Sequence, residues 1–164
     1  METYRWSKGV FSSTFEIFSQ KGIAGQIRSR NWSRLTDAVI NGKRYLFKTQ
    51  GFFTVNTLII DPEKNTLLGK ISYNSWRSIA SIELKGSTTV LKSESIWRSQ
   101  WSVWNGNELL MRFKGSATRG TIEVVKSDEL LMISSFFAMT YFWKAATIAI
   151  VTSLMPIWIT ILTK

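Results

Sequence analysis

SSFFAMTYFWKAATIAIVTSLMPIWITILTK, residues 134–164, decides how the rest of the chain is read. Between Glu129 and Lys164 the only charged side chain is Lys144, and residues 145–163 carry none. A run of this kind has to be buried in something apolar, either lipid or the interior of its own protein. Ser134 or Ser135 is a plausible helix cap, and from Phe136 to about Met155 no Gly, Pro, Asn or Asp interrupts a helix. Pro156 is expected to weaken or end it, with residues 157–163 adding a further turn at most.

Upstream the pattern changes from a continuous apolar run to short alternating segments. Residues 14–18 and 23–28 read as a strand pair around a turn at 19–22, with Ile23, Gly25 and Ile27 on one face. Residues 31–34 are polar and turn-like. A hairpin follows: 36–40, then Asn41-Gly42, then 43–49, with Tyr45 and Phe47 facing one way and Arg44 and Lys48 the other. Asn-Gly suits the two-residue type I′ turn because both central residues need positive φ.

Residues 54–60 form a β-branched strand that stops at Asp61-Pro62. Residues 67–73 place Leu67, Gly69, Ile71 and Tyr73 on one face, and 79–85 alternate with Ala80, Ile82 and Leu84 inward. Strand 88–92 comes next. Trp97, Trp101 and Trp104 share helical spacing, yet that segment runs into the Asn105-Gly106 turn, so a strand is expected from about Gln100. The partner strand alternates Leu109, Met111 and Phe113 inward, and residues 121–126 and 129–134 form the last expected pair, around Ser127-Asp128. Together these make about twelve short strands joined by tight turns, the pattern of an antiparallel sandwich or barrel.

Two environments remain for the apolar tail. As a membrane span, the uncharged run is long enough, and the cations upstream of it would make it a C-terminal single-pass anchor with the β-domain in the cytoplasm. As a core element, a helix of 18–20 residues is roughly 27–30 Å long, a length that tilted strands and their turns can cover. Inward residues such as Ile27, Phe47, Ile82, Met111 and Ile122 lack a partner until such a helix is placed among them. The enclosed reading is preferred, with Lys144 snorkelling towards the barrel mouth. It gives one mainly β domain over residues 1–164: a closed antiparallel barrel of about twelve strands around a C-terminal helix at 136–155.

Composition narrows the chemistry. The chain has no Cys and no His, so disulfides, thiol nucleophiles and the commonest metal ligands and general bases are missing. No Gly-rich phosphate loop, nucleophile elbow or metal motif occurs, so no enzyme, cofactor or metal is expected. Asp61, Glu63, Asp128 and Glu129 sit in or beside turns and read as turn formers. The N-terminal region carries charges through its first 16 residues, which argues against a cleavable signal and for a cytoplasmic protein.

A net charge of +10 favours an anionic partner. The densest basic cluster is Arg28, Arg30, Arg34, Lys43, Arg44 and Lys48, relieved only by Asp37. It could hold lipid phosphates at the inner face of a membrane, or simply keep the outside of a barrel solvated. Trp76-Arg77 and Trp97-Arg98 invite a nucleic-acid reading, but no recognition motif accompanies them, and Trp equally fills barrel interiors.

Several of these features together resemble the tubby C-terminal-like superfamily, which includes tubby proteins, plant LURP-one-related proteins and phospholipid scramblases. They are Phe15-x-Ile17-Phe18 followed by Gly22 and Gly25-x-Ile27, then Gly42-Lys43-x-Tyr45-x-Phe47-Lys48, Ile59-x-Asp61, Gly69-x-Ile71, Trp97 with Trp101, Gly120 and the apolar terminal helix. The resemblance spans residues 14–162 and is closest to short single-domain bacterial members. It implies a twelve-stranded barrel closed around a hydrophobic C-terminal helix, and binding of phosphoinositide or other anionic phospholipid headgroups through Lys and Arg on the barrel. The Cys-rich palmitoylation segment of the scramblases is absent.

Overall fold

The computed structural model describes residues 1–30 and 34–162, with side chains as far as Ala149. Twelve strands run in sequence as an uninterrupted antiparallel meander, and the first pairs with the last to close a barrel. They are β1 (Glu2–Ser7), β2 (Thr14–Ser19), β3 (Gly22–Ser29), β4 (Leu35–Ile40), β5 (Lys43–Gln50) and β6 (Asn56–Asp61), then β7 (Thr66–Asn74), β8 (Ile79–Leu84), β9 (Ser87–Ser93), β10 (Gln100–Asn105), β11 (Glu108–Gly115) and β12 (Arg119–Val124). One helix, α1 (Glu129–Leu162), follows β12 and passes up the middle.

The strand count of twelve is met, with one exchange of members. Residues 129–134, expected as the last strand, form the first turns of α1, while β1, expected as an irregular lead, is the strand that closes the barrel. Residues 130–133 are all apolar, a run compatible with a buried strand or a buried helix. What settles it is Asp128, whose Oδ1 accepts a hydrogen bond from the backbone N–H of Leu131 at 2.9 Å and so caps the helix. The helix therefore starts at Glu129 rather than Phe136, and Ser134 and Ser135 lie inside it. It also runs through Pro156 to Leu162 instead of stopping near Met155.

Turn chemistry fixes the register. Asn41 and Gly42 take φ of 46° and 79°, as a type I′ turn requires, and β4 and β5 pair in register from Ile40↔Lys43 to Leu35↔Lys48. The register shift in β2 between Ile17 and Phe18 displaces Ile23 from the inward set, leaving it 69% exposed. A similar shift opposite β7 leaves Leu67 outside while Ile71 is buried. Gly120 faces Trp6 across β1 and β12, and a Cβ there would meet the indole ring at 2.2 Å, so only glycine lets that ring lie flat against the wall.

Inside, every residue from 130 to 140 is buried, on all sides of the helix. Aromatic contacts bind it to the wall at three levels. Phe136 packs against Phe15 at 5.2 Å and Trp6 at 5.3 Å, Phe137 stacks on Phe47 at 4.5 Å, and Phe142 stacks on Trp101 at 5.3 Å. Ile27, Phe47, Ile82, Met111 and Ile122, the inward residues that lacked partners, are all at most 2% exposed.

The helix is longer than the barrel that holds it. Its 34 residues amount to about 51 Å at 1.5 Å per residue. Strands of six to nine residues rise only roughly 20–30 Å, before tilt is counted. Burial accordingly ends at Phe142, and Thr147, Ile148 and Ala149 are exposed. The expectation that residues 136–155 are enclosed is thus corrected: the barrel encloses 130–142, and α1 then leaves it.

Ser134 and Ser135 are buried with hydroxyls that have no hydrogen-bond partner. Such a group contributes a desolvation cost and no compensating bond. Urea unfolding of Ser135→Ala should show unchanged or higher stability, whereas Phe136→Ala, which empties the central aromatic layer, should lose about 3–5 kcal/mol.

Candidate anionic-surface site and the open end of the barrel

Because the strands alternate in direction, the connections fall at two opposite ends. The end where α1 starts carries the turns at 20–21, 41–42, 62–65, 85–86 and 106–107 and the link at 125–128. The end where α1 leaves carries the connections at 8–13, 30–34, 51–55, 75–78, 94–99 and 116–118. The first will be called the entry end and the second the exit end.

The six basic residues singled out in the sequence are all exposed, but they do not form one cluster. Arg28, Arg30, Arg34 and Lys48 lie towards the exit end of β3–β5, and Lys43 and Arg44 lie towards the entry end. On the outer wall, Arg28 sits directly opposite Asp37, and Arg44 opposite the neighbouring Val39. Arg30 clasps Asp37 with both prongs, Nε at 2.7 Å and an Nη at 3.0 Å. That hydrogen bond, reinforced by the charges of Arg30, Arg44 and Arg28, holds the Asp37 carboxyl below the usual carboxylate range against the opposing pull of partial burial. Arg34 donates to the Gly51 carbonyl at 2.7 Å and so steadies the 51–55 connection. Lys43 faces Glu129 at 3.9 Å, which with the Asn41 amide ties the β4–β5 turn to the start of α1.

The carboxylates read as turn formers act as local fasteners. Asp61 Oδ1 accepts from the backbone N–H groups of Glu63 and Lys64 at 3.0 and 3.1 Å, while Asp128 caps α1. Residues 31–33 of the expected 31–34 turn lie outside the described residues.

Where α1 leaves the barrel, Arg98 fastens it to the wall. Arg98, with φ of 53°, directs its carbonyl to the indole N–H groups of Trp101 and Trp143 at 2.8 and 3.0 Å. Its guanidinium donates to the Phe142 carbonyl at 3.3 Å and to Ser78 Oγ at 3.2 Å. One residue further along α1, Lys144 donates to Ser29 Oγ at 2.7 Å, its ammonium reaching the rim as its position in the run suggested. Partial desolvation, and after it the nearby Lys8 charge, push the Lys144 ammonium below its ordinary range. The Trp97-Arg98 pair is therefore split: Arg98 serves the helix, while Trp97 turns outward, 90% exposed.

Sequence reading did not find what the two ends display. The exit-end connections present Val10, Phe11, Phe52, Phe53, Trp76, Ile96 and Trp97, each at least 79% exposed. The entry-end turns carry no aromatic residue; the apolar residues exposed near that end, Met1, Ile23, Leu67 and Val125, stand singly along the chain. Charge is divided too. Among the described exit-end connections Glu94 is the only acid, alongside Lys8, Arg30, Arg34, Arg77 and Arg98. Glu2, Asp61, Glu63, Glu108, Asp128 and Glu129 gather at the entry end, where Lys21, Lys43, Arg44, Lys64, Lys85 and Lys126 balance them. The signal available in the sequence was apolar residues inside Gly- and Ser-flanked turns, as in Gly51-Phe52-Phe53 and Ser75-Trp76, where a solvated connection would be polar.

Among the described residues no helix is long and apolar enough to cross a membrane. No family model matches the chain, and no curated protein or solved structure does so either.

Two measurements test this geometry. The depressed Asp37 contributes stability that is present above the unfolded carboxylate value of about 4 and is lost as pH falls through its lower folded value. Asp37→Asn should therefore lower the neutral region of the stability–pH curve modestly and flatten its acid limb, so that variant and parent converge at low pH. Arg98→Ala, which strips two charge-assisted bonds from the helix exit, should cost about 1–3 kcal/mol in chemical unfolding.

Proposed function

We propose that this chain is a non-catalytic binding module that docks on anionic phospholipid at a membrane surface. The observation that carries the reading is the uneven charge along the barrel axis: Arg28, Arg34, Lys48, Arg77 and Lys8 give the exit end an excess of bases, while at the entry end acids and bases are about equal. A protein of net charge +10 needs no such division merely to stay dissolved. A dipole of this sense turns the exit end towards a negative plane, and the attraction falls away within a Debye length of it. The resemblance to the tubby-like superfamily agrees with this ligand class and with a barrel used as a scaffold for headgroup contacts. Trp76 and Arg77 are adjacent and exposed, but the paired use of ring and guanidinium that a nucleic-acid surface needs is lost at Trp97-Arg98, where Arg98 is committed to α1. The lipid reading is therefore preferred over nucleic acid.

Flotation with phosphatidylcholine vesicles, with and without phosphatidylserine, tests the reading. Each basic residue near the surface is worth about 1 kcal/mol, so the triple variant Arg28→Gln, Lys48→Gln, Arg77→Gln should bind phosphatidylserine vesicles on the order of a hundredfold more weakly. The entry-end variant Lys43→Gln should bind as the parent does. Equal flotation with neutral and acidic vesicles at low salt would remove the proposal.

A further inference from the structure

The exit end carries more than charge. Its exposed side chains include Phe11 at 101%, Phe52 at 84%, Phe53 at 98%, Trp76 at 101%, Ile96 at 95% and Trp97 at 90%. They come from four separate connections, those at 8–13, 51–55, 75–78 and 94–99, that have nothing in common except the end of the barrel they occupy. Exposing this many large apolar groups at one end costs solubility, and natural surfaces keep such patches for contacts. Here the patch lies on both sides of the point at which α1 emerges.

We propose that this ring is a membrane-penetrating collar: Phe11, Phe52, Phe53, Trp76, Ile96 and Trp97 enter the boundary between headgroups and acyl chains, and the barrel stands on end upon the bilayer. This rests on the anionic-surface reading and specifies its geometry. Three observations select lipid as the occupant over a second copy or another protein. Lys8, Arg34 and Arg77 lie on the same connections as the rings or beside them, the pairing of cation and aromatic found at lipid headgroup level. The collar takes three consecutive connections of the rim, 51–55, 75–78 and 94–99, and the one across from them, 8–13, instead of one flank alone, which fits a plane met end-on. The helix emerges through its centre with Thr147, Ile148 and Ala149 exposed, and the sequence that follows carries no charge before Lys164.

Trp143 and Lys144 mark the level at which protein interior gives way to that environment. Trp143 donates its indole N–H to the Arg98 carbonyl, and Lys144 donates an ammonium N–H to Ser29 Oγ. These two bonds tie the helix to the rim at the level where the backbone of the connections ends and lipid would begin.

The chain has no Cys, so a single introduced thiol labels one position only. Full-length Phe11→Cys, Phe53→Cys, Trp97→Cys and the entry-end control Asn65→Cys would each carry a polarity-sensitive fluorophore. On phosphatidylcholine–phosphatidylserine vesicles the three collar labels should shift to the blue and be quenched by shallow spin-labelled lipid, while the Asn65 label should not change. If the protein floats with these vesicles but collar labels stay as water-exposed as Asn65, the collar is overturned and surface docking survives. If it does not float with acidic vesicles at all, the docking reading falls and the collar with it. If the collar labels become shielded without lipid, in step with protein concentration, a second copy is the occupant and the proposal fails. In a second arm, Phe53→Ser, Trp76→Ser, Trp97→Ser should unfold at the parental midpoint, since these rings are exposed, yet partition into the vesicles at least about tenfold more weakly. Partitioning equal to that of the parent would overturn the proposal.

Discussion

A closed sheet has no edges to protect, but it has a lumen to fill, and the filling of that lumen is the constraint on which this structure depends. Twelve strands enclose more width than their own side chains can occupy, so a cylinder of side chains has to be supplied from elsewhere. Residues 130–142 supply it, with Phe136, Phe137 and Phe142 reaching Trp6, Phe15, Phe47 and Trp101 on different sides of the wall. Wall and helix are each apolar surfaces without a partner until they meet. Folding of the barrel is for that reason tied to the placing of a segment that follows all twelve strands in the chain.

The same helix gives the molecule its direction. It begins at the end where acids and bases balance, fastened by Asp128 and by the contacts of Glu129 to Asn41 and Lys43, and it leaves at the basic end, fastened by Arg98. Acid near the helix start also complements the partial positive charge of the first turn. A barrel built by a simple meander is nearly symmetrical end for end. The axial helix, the division of charge and the exposed rings remove that symmetry, and all three remove it in the same sense.

The alternative of a core helix and a membrane-facing segment, posed by the sequence as two exclusive readings of one run, has a different form in three dimensions. The run is too long for the barrel, so one helix has an enclosed half and an emergent half, with Trp143 and Lys144 at the division. Treating residues 136–155 as one object hid this, because apolarity is uniform along the run and burial is not.

Much of the architecture was written locally. Alternation in 79–85 and 43–49, the Asn41-Gly42 turn and the stop at Asp61-Pro62 each declared strand or turn from a few neighbours, because side-chain period and positive φ are properties of short segments. The inward faces of Phe47, Ile82 and Met111 followed from the same period. Tertiary structure alone decided the rest. Whether residues 130–133 extend or coil, which strand closes on β12, and where Ile23 ends up after the shift at Ile17 all depend on partners distant in the chain. Sequence also grouped Arg28 to Lys48 as one basic cluster, since proximity along the chain was all it could measure. The alternating strands carry such neighbours to opposite ends and bring Phe11, Phe53, Trp76 and Trp97 to the same one, because in a meander every second connection shares an end whatever its distance in sequence.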